Sequence, residues 1–362
     1  MSADPEPSST ASRYTLASWC AGGVVLALLL AAAAAFVEQR GRFAVTTDVI
    51  TAIPTEVSVT ATESPTTPAP KVTNSTAIPS LAPGTTSTTA PTEPTPVLPP
   101  LTLQPDTAGI GETVALSVYA LEASSVTVEF LENSYPLGRE SDGAWFGVIG
   151  VPLGASLGRK ELRVVLRDEF GAFLEERSQL VEVAWVDRPV DDLTLTAAQG
   201  SILTTEAAAE EYTIRAAQFL SFDRGRRWTG PFRLPVDGIG TTDFGQGRSI
   251  NGGPVTGQHS GADIANAEGT PVHASAPGRV AWTGEMPIRG NSVLIDHGDG
   301  VITGYHHLLE IVVELDEEVT GQTVIAAMGA TGLSTGPHLH WELTIYGVNV
   351  DPITWTQIDF TP

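Results

Sequence analysis

Ser334-Thr335-Gly336-Pro337-His338-Leu339-His340-Trp341-Glu342 decides how the last third of the chain is read. A Gly-Pro turn runs into apolar and polar residues alternating with period two, so the segment is expected to be a strand. On a strand, His338 and His340 project from the same face, where one can bind a metal while the other reaches a substrate oxygen. Glu342 shares their parity; it either orients a ligand from behind or ends the strand in solvent. Further upstream, His259-Ser260-Gly261-Ala262-Asp263 places a carboxylate four residues after an imidazole, across a glycine. The chain has 7 histidines, and all fall between His259 and His340. Histidine is the commonest metal ligand, and a mononuclear catalytic zinc site wants three protein ligands and an open position. A His-x-His pair alone is weak evidence. Joined to the upstream His-x-x-x-Asp and this confinement, it reads as a zinc hydrolase site.

These runs, together with Gly269-Thr270-Pro271-Val272 and Tyr305-His306-His307-Leu308 in the same order, resemble the lysostaphin/LytM-type zinc metallopeptidases. The resemblance covers roughly residues 230–352. It implies the duplicated hybrid motif fold and peptidoglycan endopeptidase activity with Zn2+ as cofactor. It also implies metal ligands at His259, Asp263 and His340, and catalytic imidazoles at His307 and His338. Some relatives carry a Gly-Tyr-Gly-Asn stretch whose Tyr helps hold substrate or oxyanion. Here the corresponding run is Pro287-Ile288-Arg289-Gly290-Asn291, so Arg289 is the candidate contact to oxyanion or substrate. His306, adjacent to His307 on an expected strand, should face the opposite way and be exposed. His273 and His297 are expected to be structural.

The remainder of the 362 residues suggests how such a site is delivered. Tyr14 to Val37 is free of charge and long enough to cross a bilayer as a helix, with a cleaved signal peptide as the competing reading. Residues 1–43 are thus expected to form a cytoplasmic tail with membrane anchor, or a signal segment. Residues 44–100, rich in Thr, Pro, Ser and Ala, form an expected disordered linker. Such a stalk, about 55 residues long, spans on the order of 40 Å as a flexible coil. Alternating runs such as Ser125-Val126-Thr127-Val128-Glu129-Phe130 predict an immunoglobulin-like β-sandwich over 101–187. A helical connector is expected over 188–223, its helix capped by Thr205, and the peptidase domain over 224–362. The fold class is therefore mainly β.

Composition excludes some partners. A net charge of −23, with lysine only at Lys71 and Lys160, argues against nucleic acid and against docking on anionic lipid through a basic patch. Cys20 is the single cysteine, so neither an intramolecular disulfide nor a cysteine-based zinc site can form. The expected substrate is the peptide stems of bacterial peptidoglycan, which places the C-terminal domains outside the cell membrane, or secreted if the N-terminal segment is cleaved. The sandwich is a candidate docking module for cell-wall or divisome proteins. The rival reading is a non-catalytic regulator that activates another wall hydrolase. Relatives in that role have typically lost ligands or catalytic histidines, whereas all five positions are present here.

Overall fold

The computed structural model describes residues 101–362, which are mainly β. The expected anchor and linker lie outside the described residues. Among the described residues, no helix is long and apolar enough to cross a membrane.

Residues 101–187 form two facing sheets. One orders Thr102–Gln104, Thr113–Tyr119, Ala144–Gly150 and Gly138–Arg139; the other orders Thr107–Gly109, Phe173–Ala184, Gly158–Arg167, Ser125–Phe130 and Asn133–Pro136. The period-two patterning explains the packing: Val126, Val128 and Phe130 point inward from one strand, and Val114, Leu116 and Val118 meet them in the same core. Ala144–Gly150 is buried along its whole length because it is covered on both faces. Its second face meets the C-terminal domain. Val301, Leu343, Ile345, Val350 and Trp355 belong to the same apolar cluster as the sandwich core. Hydrogen bonds seal the seam: Trp355 Nε1 donates to Thr113 Oγ1 at 2.9 Å, and Asp351 N to the Gly111 carbonyl at 2.9 Å. Gly150 permits this approach, since a Cβ there would lie 2.9 Å from Val348 Cγ1. The sandwich is a buttress sharing a core with its neighbour.

The C-terminal domain is built on one large antiparallel sheet. Its main path runs Ile239–Thr242, Ala262–Ala265, His338–Ile345, Val301–Ile311, Gly290–Asp296, Gly278–Met286 and Glu318–Val319. Pro271–His273 pairs with Val324–Met328 beside it. Gly290–Asp296 is covered on both faces: Val293 and Ile295 pack into one apolar cluster and Leu294 into another.

The connector departs from expectation twice. Val190–Leu193 is a strand, parallel to Gly247–Ile250, so 188–223 is not purely helical. Four residues containing two aspartates carry little strand signal, and this strand forms by borrowing a neighbour's edge. The helix runs Thr205–Leu220, but its N-cap is Thr204, whose Oγ1 accepts from Ala207 N at 3.0 Å, and Thr205 is the first helical residue. Either threonine could cap; Thr204 takes the role because its backbone is extended.

Candidate metal centre and active site

Strand register sets the site. The short strand Ala262–Ala265 pairs with His338–Ile345 so that Asp263 lies opposite His340. His259 is delivered by the turn before it, with its N–H on the Gln246 carbonyl at 2.8 Å. Gly261 must be glycine here, because a Cβ would sit 2.3 Å from the Trp341 carbonyl oxygen. His259 Nε2 lies 2.9 Å from Asp263 Oδ1, His340 Nδ1 lies 2.7 Å from the same oxygen, and the two ring nitrogens are 2.9 Å apart. Three buried donor atoms thus converge on one point.

The surroundings fix which nitrogens face that point. His259 Nδ1 donates to the Asp243 carbonyl at 2.9 Å, leaving Nε2 for the centre. His340 Nε2 donates to Glu342 Oε1 at 3.0 Å, leaving Nδ1. Such outer partners fix tautomer and ring orientation in metal sites. The other oxygen of Asp263, Oδ2, lies 3.2 Å from Arg248 NH2. Charge follows the same pattern. Burial opposes ionisation of both Asp263 and His340, yet the hydrogen bonds linking the acid to the two imidazoles prevail, holding the Asp263 carboxyl well below its ordinary range and raising His340. At His259 burial prevails and lowers the pKa, which favours the neutral imidazole as a donor, and a His, Asp, His donor set with a free side suits zinc.

Facing this cluster are His307 and His338, their ring centroids 4.7 Å apart. His307 Nδ1 donates to the Thr331 carbonyl at 2.8 Å, and His338 Nδ1 to the Gly336 carbonyl at 2.8 Å. Each Nε2 is therefore the nitrogen free to exchange a proton. Burial, then the neighbouring His340 and His338, pushes His307 well below the ordinary imidazole range. The five side chains line one cleft of about 440 Å³, whose walls include Asp191, Leu193, Leu195, Ile288 and Thr335.

His306 corrects the sequence reading: it is fully buried, not exposed. The parity argument assumed a regular strand, but His307 has φ +61° and the pairing shifts register just beyond it. Both rings therefore lie near His340, with centroids at 5.6 and 6.0 Å. His306 Nδ1 sits 2.8 Å from Ser292 Oγ, while its Nε2 finds no hydrogen-bond partner among the described residues. Arg289 is also placed differently. Its guanidinium is committed to two carboxylates, Glu211 Oε2 at 2.6 Å and Glu342 Oε1 at 2.5 Å, with Ser260 Oγ at 3.1 Å. It does not present a free charge to an oxyanion. Glu342 is fully enclosed, not a solvated strand end. Burial would raise its pKa, but Arg215 and Arg289 overcome this and hold it well below the ordinary range. His297 is buried, with Nδ1 donating to the Pro277 carbonyl at 2.7 Å, and His273 is half-buried at a strand end. Sequence reading missed Arg248, Ser260, Glu211 and Arg215; Ser260, inside the first motif, was the one within reach of a local signal.

A convergent His-Asp-His donor set with two further imidazoles across a cleft suits a mononuclear metal site with an open side. Residues 257–352 match the model of Peptidase family M23, and the three-donor cluster lies within that segment. The same region is 45% identical over 96 residues to the DD-carboxypeptidase/endopeptidase Mpg of Neisseria meningitidis, covering 26% of this chain and 22% of that one. It is 43% identical over 97 residues to the peptidoglycan DD-endopeptidase ShyA of Vibrio cholerae, covering 26% and 23%. The chain thus spans less than a quarter of the length of these relatives. A crystal structure of an M23 peptidase from Pseudomonas aeruginosa superposes with TM-score 0.50 and 26% identity, covering 68% of this chain and 94% of that one.

Proposed function

We propose that this chain is a zinc-dependent metalloendopeptidase that hydrolyses peptide cross-links of bacterial peptidoglycan, with His259, Asp263 and His340 as ligands and His307 and His338 as catalytic imidazoles. The observation that carries this reading is the pairing of a buried three-donor cluster with two imidazoles whose Nδ1 atoms are both fixed by carbonyls. Bound zinc supplies Lewis-acid polarisation of the scissile carbonyl and lowers the pKa of water. The Nε2 of one imidazole takes the proton of the attacking water, and the C–N bond breaks as that proton passes to the leaving amine. The other imidazole, protonated, stabilises the oxyanion. Glu342 keeps His340 oriented from behind throughout.

The names of the relatives support peptidoglycan as substrate. A non-catalytic regulator fits poorly, because among the described residues nothing in the cleft replaces or displaces any of the five groups. The uncharged segment from Tyr14 to Val37 supports an anchor, or a signal segment, that leaves the catalytic domain outside the membrane. The sandwich, read as immunoglobulin-like, supports the domain mechanically and leaves its outer sheet face open to wall components or proteins. The full chain is to be incubated with purified peptidoglycan, with chelator, and with chelator followed by zinc. Peptide ends should appear only when zinc is present, and mass spectrometry of the released muropeptides identifies the bond. Equal release in chelator, or none with zinc, overturns the reading.

A further inference from the structure

The helix Thr205–Leu220 lies outside the segment that matches the peptidase family, yet it reaches the metal cluster through buried charges. Glu211 is its one buried residue. An isolated buried carboxylate is costly and persists only when paired and hydrogen-bonded. Glu211 Oε1 accepts from the backbone N–H groups of Ile288 and Arg289, both at 2.6 Å, and Oε2 from Arg289 NH1 at 2.6 Å. Arg289 then passes the link on, its NH2 at 2.5 Å and Nε at 3.2 Å from Glu342 Oε1. Four residues along the same helix face, Arg215 NH2 lies 2.5 Å from Glu342 Oε2. Glu342 Oε1 accepts from His340 Nε2 at 3.0 Å. A second branch leads to the other imidazole: the Arg289 carbonyl held in place by Glu211 accepts the His307 N–H at 2.9 Å, at the position where φ is +61°.

We propose that Glu211 and Arg215 are positioning residues for the metal centre, acting on His340 through Glu342 and, for Glu211, on His307 through the Ile288–Arg289 turn. Two guanidiniums grip the two oxygens of Glu342 from different elements, so its carboxylate cannot rotate away from His340 without breaking a buried ion pair. The proposal rests on the reading of His340 as a ligand. A helix merely glued to the sheet by the same charges would leave the metal indifferent to them, which separates the two cases.

The test uses the full chain carrying Glu211→Gln, Arg215→Met or Arg215→Lys, with Glu210→Gln, an exposed neighbour on the helix, as control. Zinc affinity is read by competition with a chromophoric chelator, ligand geometry by the visible absorption of the Co2+-loaded protein, and folding by near-UV circular dichroism. Glu211→Gln and Arg215→Met should weaken zinc about tenfold and shift the cobalt bands, consistent with the 10–100-fold range for outer partners of metal ligands. Arg215→Lys should recover part of the loss, and Glu210→Gln should change nothing. Folded variants that bind zinc within about twofold of wild type, with unshifted cobalt bands, overturn the proposal. Should Glu211→Gln not fold, the Arg215 pair decides. Wild type that binds zinc but cuts no peptidoglycan sinks the proposed activity and leaves this inference standing; unchanged affinity in the variants does the reverse.

Discussion

Asp263 and His340 face each other across neighbouring strands, with Oδ1 2.7 Å from Nδ1, so backbone pairing itself holds two donors of the metal cluster together. Asp263→Ala removes the one anionic donor and leaves Arg248 facing two imidazoles with no carboxylate between. Zinc content after dialysis, measured by atomic emission, should fall to a small fraction of one equivalent, and affinity by more than the ~100-fold seen for outer partners. His259→Ala should behave the same way. Retention of a full equivalent in either variant would remove these residues from the ligand set.

His307 and His338 stand apart from the donors, so their loss should leave the metal in place. His307→Ala and His338→Ala are expected to keep one zinc while losing about 10²–10⁴-fold in kcat, the range of general acid–base and oxyanion contributions. Because the two imidazoles serve one reaction, the double variant should lose much less than the product of the single losses. Loss of zinc from the single variants would instead show that these rings support the cluster.

The shared core predicts that the C-terminal domain depends on the sandwich for its stability. Trp355→Ala removes a buried indole and its hydrogen bond to Thr113, at a cost of about 3–5 kcal/mol. Gly150→Val drives a side chain into Val348 and Val350 and should cost about 1–3 kcal/mol. Both should lower the melting temperature without changing zinc stoichiometry in the folded protein. A chain beginning near residue 188 would expose Val301, Leu343 and Ile345, and should aggregate on expression. A soluble, fully stable fragment would show that the C-terminal domain folds without the sandwich.

What was readable in the sequence was short-range. His338 and His340 announce a common face through period two, and His259 with Asp263 announce a turn through Gly261. The same local logic misled at His306, because parity holds only while the strand is regular and His307 departs from β geometry. The helix was visible, but its cap fell one residue earlier than expected, where backbone conformation chooses between adjacent threonines. Least visible was the charge network. Glu211 meets Arg289 across 78 residues and Arg215 meets Glu342 across 127, and a Glu in an alanine-rich helix looks like any solvated charge. Arg289 looked available for substrate because its partners lie on other elements.

His297 supplies a pH dependence separate from the metal cluster. Its ring is enclosed between the Pro277 carbonyl and Thr303 Oγ1, both at 2.7 Å, and burial lowers its pKa from 6.5 to about 4. The folded state therefore favours the neutral ring, and between pH 6.5 and about 4 the unfolded chain binds more protons at this site. Stability from this group is fully present above about pH 6.5 and is lost as pH falls toward 4. At 1.36 kcal/mol per unit, the loss is about 3 kcal/mol. Urea unfolding of the metal-free protein at pH 4.5 to 7.5 should show stability declining with acid. In His297→Gln, the slope over the same window should be smaller by up to one proton, whatever the offset in absolute stability. An unchanged slope would mean that His297 accepts a proton in the folded state as readily as in the unfolded chain.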